Sequence, residues 1–199
     1  MRKISPLLLL FLLLAGCGTK PAPGWIAAGH RQLEAFKQHY LTAGHQRITE
    51  IHFREAVAEI QKGGDMDLLG KAWLTRMALQ VAVLSEPDGG DYPKVEAVEV
   101  VPANRNYYRF LVGDHAAVDP LLLAASYRPF WGALRDRDAA RTAAAVAAIE
   151  EPLSRLIASG LAVRHGLETE ALLQSAVEAA SQNGWKTALL AWLERLHRL

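Results

Sequence analysis

Acidic residues and histidines at helical spacing are the first side chains in this chain that could do chemistry. Gly64-Asp65-Met66-Asp67-Leu68-Leu69-Gly70 opens like a calcium loop, with Asp at the first and third positions and Gly at the sixth. The fifth and twelfth positions are Leu69 and Arg76, where oxygen ligands are required, so an EF-hand is excluded. The two Asp residues more simply face the N-terminus of a helix. His45 and His52 share one helical face but are separated by about 10.5 Å of rise, too far to bind one metal. His52 and Glu55 could meet one turn apart, yet they lack further ligands nearby, and no metal site is assigned. Glu150-Glu151 and Asp136/Asp138 are acid pairs at helix starts, where the helix dipole accounts for them. Beyond residue 16 there is no Gly-x-Ser-x-Gly, Ser-x-x-Lys, His-Glu-x-x-His or phosphate-cradling glycine loop. No catalytic residue, cofactor or metal is therefore assigned, and the sequence leans away from an enzyme. Carboxylates assembled only by folding would escape this reading.

The one cysteine carries a different chemistry. Met1-Arg2-Lys3 is a short basic start, Leu7 to Leu14 is almost pure Leu and Phe, and Leu14-Ala15-Gly16-Cys17 follows. The apolar run is far short of the ~20 residues that span a bilayer, which suits a cleaved signal better than a membrane helix. Over residues 1–18 the chain resembles a bacterial lipoprotein precursor, Leu14-Ala15-Gly16-Cys17 matching the lipobox. The resemblance implies cleavage after Gly16, a diacylglyceryl thioether on the Cys17 thiol, and often an acyl group on its new amino terminus. Two or three acyl chains give lasting attachment where one gives marginal binding. It also implies a place in the cell envelope. Gly18 follows the cysteine instead of the Asp that marks inner-membrane retention in enteric bacteria, which favours the periplasmic face of the outer membrane. Residues 1–16 are then the signal peptide, 17–24 a lipidated tether and 25–199 the folded domain. Losing Arg2 and Lys3 leaves 20 basic against 21 acidic residues, so no net positive field holds the mature chain to anionic lipid. The bilayer is met through acylated Cys17, and the seven-residue tether reaches about 25 Å when fully extended.

Composition bounds the domain. The 199 residues hold 33 Ala and 30 Leu against 19 Ile plus Val, a bias toward helix formers and against strands. Apolar spacing predicts helices over 25–43, 46–62, 66–85, 103–113, 119–135, 138–150, 152–164, 168–182 and 185–198. Pro129 should bend or break the fifth of these, and Pro152 suits a first turn. The 66–85 segment is apolar nearly all round, as expected of a central helix packed on several sides. Residues 85–94 form the strongest break, and 95–101 read as loop or edge structure. The expected fold is a single all-α domain, a compact multi-helix bundle of helical hairpins with eight or nine helices. Faint similarity between the stretches opening at Leu74-Thr75-Arg76 and Leu153-Ser154-Arg155 falls short of a repeat, and a solenoid is disfavoured.

Two stretches mix aromatics with arginine, as binding hot spots do: 104–110, and 127–131 with Arg135, Arg137 and Arg141 beyond it. Tyr127, Arg128, Phe130, Trp131 and Arg135 are the candidate partner-binding residues. The competing reading places the aromatics in the core and the arginines in solvent. Near-neutral charge and the envelope address argue against nucleic acid. The expectation is a non-catalytic envelope lipoprotein whose helical domain docks on a partner protein or assembly near the membrane. Alternatives are a binder of a small apolar or lipid ligand between helices, and an enzyme with a dispersed site.

Overall fold

The computed structural model describes residues 23–42, 46–114 and 116–199. The lipobox, Cys17, most of the tether and His45 lie outside these. Among the described residues the chain is all-α, with ten helices and no strand. We number them α1 (Gly24–Thr42), α2 (Gln46–Gln61), α3 (Met66–Ala82), α4 (Tyr92–Val98), α5 (Pro102–Val112), α6 (Arg128–Arg135), α7 (Ala139–Ala147), α8 (Pro152–Arg164), α9 (Glu170–Gln182) and α10 (Lys186–His197). Short 3-10 turns at Pro120–Leu122 and Ala125–Tyr127 lead into α6. No described helix is long and apolar enough to cross a membrane.

Local chemistry accounts for most helix starts. Asp65, Asp138 and Thr169 each accept a hydrogen bond from a backbone N–H three residues on, at 2.9, 2.9 and 3.2 Å. Glu151 caps α8 through Leu153 N and Ser154 N. These caps satisfy donors that the first helical turn leaves unpaired, and the three acids among them place negative charge at the positive end of the dipole. One member of each acid pair, Asp65, Asp138 or Glu151, is thus a helix cap.

Tertiary packing decided what periodicity left open. Residues 95–101, read as loop or edge, are in part helical: α4 runs to Val98. Seven residues cannot hold a helix in water alone. This one is held because Tyr92 and Val95 are buried and the Tyr92 ring stacks on Tyr108 at 4.9 Å. The valine run hid the helical spacing. The 119–135 helix is also corrected. Asp119 caps a 3-10 turn, and α6 starts only at Arg128 with Pro129 in its first turn, so the proline opens a helix and does not bend one.

The apolar α3 is the central element, packed against α1, α2, α4, α5 and α8. α1 and α2 form a hairpin whose open end is closed by Trp25 lying against Gly63, where a Cβ would come within 2.2 Å of the ring. α10 packs on α9 and returns to α1, so the chain closes on itself as a bundle. The α3–α8 pair joins the two stretches that share the faint sequence similarity. At its crossing Gly160 faces Val81, and a Cβ on Gly160 would sit 2.3 Å from the Val81 carbonyl oxygen. Ala78, Ala82, Ala158 and Ala162 on these helices are buried, which suits so close an approach. Trp192 on α10 donates its indole N–H to the Ala82 carbonyl at 2.9 Å, satisfying an acceptor at the C-terminal end of α3.

Gly160→Ala should therefore lower the unfolding free energy by about 1–3 kcal/mol, because its Cβ meets backbone and not a yielding side chain. Urea denaturation of the purified protein checks this. Stability equal to wild type would mean that the crossing is looser than described.

Candidate functional site

The two arginine-aromatic stretches pack on each other. Phe110 is the hub, with ring centroids 5.0 Å from Tyr127, 6.2 Å from Phe130 and 5.6 Å from Trp131. Tyr127, Phe130 and Trp131 are all buried, at 4, 0 and 2% exposure. The expected aromatic docking surface is thus corrected. α6 presents these rings inward because residues 127, 130, 131 and 134 share one helical face. Arg128 and Arg135 are exposed. Arg128 has a structural task, donating to the carbonyls of Leu123 and Leu121 at 3.3 and 3.2 Å. Arg135 lies 4.0 Å from Asp136, which also takes Arg141 at 3.0 Å. Asp136 thus answers part of the positive charge of this segment.

Polar members of the 104–110 stretch staple neighbouring segments. Asn106 exchanges two hydrogen bonds with the backbone of Asp119, at 2.9 and 2.7 Å. Asn104 donates to both the carbonyl and a carboxylate oxygen of Asp67. Arg105 pairs with Glu96 at 2.7 Å, and Arg109 holds the Ala117 carbonyl. The Tyr127 hydroxyl is different. It lies beside Tyr107 and Ser154 but makes no hydrogen bond of normal geometry, and burial pushes its pKa up to about 12.

A cleft that the sequence reading missed lies where the C-terminal end of α1 meets α2, α3 and the start of α10. It encloses about 720 Å³ and is lined by His39, Tyr40, Arg47, Glu50, Arg76 and Gln80, with Gln46, Thr49, Val83, Ser85 and Thr187 completing it. That volume is within the range of small-molecule and side-chain sites. Arg76 is one of its lining residues. Its Nη1 donates to Glu50 Oε1 at 2.8 Å, and its guanidinium carbon lies 4.9 Å above the Phe53 ring. The Tyr40 hydroxyl is raised in pKa chiefly by burial, with Arg76 pulling it down and Glu50 pushing it up.

At the rim, the His39 ring stacks on His52 at 5.0 Å, and His52 Nδ1 meets Gln32 Oε1 at 2.7 Å. His52 does not join Glu55 in a ligand cluster; among the described residues no group of three or more His, Cys, Asp or Glu is placed to hold a metal. Helical spacing alone could not have revealed the cleft, since its residues come from four segments and Arg76 sits on the largely apolar α3. Comparison with family models, curated proteins and solved structures finds no match to this chain.

Tyr127→Phe should leave unfolding free energy at pH 7 equal to wild type or about 1 kcal/mol higher, because it removes a buried unpaired hydroxyl. A folded pKa above the ordinary 10.0 contributes stability that is whole below pH 10 and lost as pH rises toward 12. The variant should accordingly lose less stability than wild type between those pH values in urea titrations. A clear loss at pH 7 would show that the hydroxyl makes a bond worth keeping.

Proposed function

We propose that this chain is a lipid-anchored protein of the bacterial envelope whose helical domain is a non-catalytic docking module for a partner near the membrane. The observation that carries the reading is Leu14-Ala15-Gly16-Cys17 after a short basic and apolar leader, with Cys17 the only cysteine of the chain. The anchor holds the protein by its acyl chains, on the periplasmic face of the outer membrane where the cell has one. Domain geometry supports docking. The tether joins the start of α1, and the cleft lies near the other end, where His39 is about 22 Å of helix rise from Gly24. This cleft is thus well separated from the start of α1. Its lining is charged and hydroxylated, unlike the apolar enclosure that a buried lipid would need, so docking of a polar partner is the better-supported use.

Two measurements test the two halves. In the native bacterium Cys17→Ser should abolish incorporation of labelled palmitate and leave unprocessed or soluble protein; a variant as processed and membrane-bound as wild type overturns the anchor. A photo-crosslinking residue in place of Arg47 or Ser85 should yield a discrete adduct in intact cells that the same residue at Arg137 does not. Identical adduct patterns from all three positions, or none, would reject docking through the cleft.

A further inference from the structure

We propose that the cleft bounded by α1, α2, α3 and the start of α10 binds a carboxylate group, with Arg76 as its anchoring cation. The proposal rests on reading the domain as a binding module and is independent of the lipid anchor.

Arg76 is held but not used up. Its Nη1 is bound to Glu50, while Nε and Nη2 make no hydrogen bond among the described residues, and its side chain retains 25% exposure toward the cleft. One face of the guanidinium is covered by Phe53, which removes competing water and orients the fork. Around it stand other unused donors. The Gln80 side-chain oxygen accepts from the Asp88 N–H at 2.8 Å, leaving its amide nitrogen to donate. The hydroxyls of Tyr40, Ser85 and Thr187 line the same space and have no hydrogen-bond partner among the described residues. A concave site with more donors than acceptors is complementary to an acceptor-rich ligand.

Charge points the same way. Arg47 and Arg76 against Glu50 give the lining one net positive charge, whereas the mature chain carries 20 basic and 21 acidic residues. Glu50 accepts from Arg76 Nη1 and so competes with any bound anion for that guanidinium. The planar guanidinium fork also matches a carboxylate edge to edge. The cleft volume of about 720 Å³ exceeds what a carboxylate fills, so the group belongs to something larger: a free organic acid, or the chain end of a docked protein.

The test uses the full mature lipoprotein in detergent micelles, titrated calorimetrically with succinate, with trialanine bearing a free C-terminus, and with trialanine amide. At least one free carboxylate should bind, and binding should weaken with added salt. Binding of succinate alone assigns the site to a free acid; binding of trialanine but not its amide assigns it to a chain terminus. Arg76→Gln should weaken binding about tenfold to a hundredfold, and Arg47→Gln, at an exposed position, by about threefold. Glu50→Gln should tighten it severalfold by removing the competing acid, whereas a merely structural Arg76–Glu50 pair predicts that both variants bind less well. Circular dichroism confirms that each variant is folded. No binding of any carboxylate below about 10 mM overturns the proposal, as does equal affinity in a folded Arg76→Gln or equal binding of the amide. Adducts in cells from Arg47 and Ser85 with no carboxylate bound would sink this proposal alone and leave docking intact.

Discussion

The crossing of α3 and α8 constrains the whole bundle. Two helices can approach until backbone nearly meets backbone only where one of them has no side chain, and Gly160 supplies that gap opposite the Val81 carbonyl. The neighbouring alanines keep the approach close along both helices, so dispersion contacts are dense and little volume is left empty. With α3 pinned there, α1, α2, α4 and α5 can each pack on another part of it, and Trp192 brings α10 to its C-terminal end. Loss of that crossing would leave the packing of α10 on α1 to join the N-terminal and C-terminal hairpins.

Polar side chains do a second job, tying down segments that packing alone cannot hold. The 114–123 region has few buried apolar groups; Val118 and Leu123 are buried, but Leu121 and Leu122 are exposed at 74 and 46%. Its order comes from Asn106 on Asp119, Arg109 on Ala117 and Arg128 on Leu121 and Leu123. Each is a side chain satisfying backbone groups that no helix satisfies, which is how an irregular segment avoids exposed or orphaned donors and acceptors. Arginines that read as recognition residues in sequence are here fasteners. Arg164 on Glu86 and Arg195 on Glu168 tie loops to α8 and α10 by ion pairs between side chains.

The cleft is a by-product of helix ends. α1 stops at Thr42 and α10 starts at Lys186, and neither covers the Arg76 side of α3 completely. A charge at that uncovered place would be costly if sealed and is affordable when half open, paired with Glu50 and resting on Phe53. The same compromise that makes Arg76 tolerable leaves it two donors for something else. The opening lies at the end of α1 remote from Gly24.

The helical class, most helix starts and the central role of α3 were legible in the sequence, because they follow from local rules: small straight-chain residues, acids at helix starts such as Asp65 and Asp138, and a nearly all-round apolar surface over residues 66–82. The proposed lipobox reading of Leu14-Ala15-Gly16-Cys17 rests on the sequence alone, since these residues lie outside the described ones. Three things were decided only by tertiary structure. α4 exists because Tyr92 has Tyr108 to stack on. Tyr127, Phe130 and Trp131 are core and not surface because Phe110, some twenty residues earlier, comes to meet them. The cleft joins Tyr40, Glu50, Arg76 and Thr187, which lie up to 147 positions apart. Periodicity tells which face of a helix is apolar; it carries no information on which other helix covers that face, or where the covering stops.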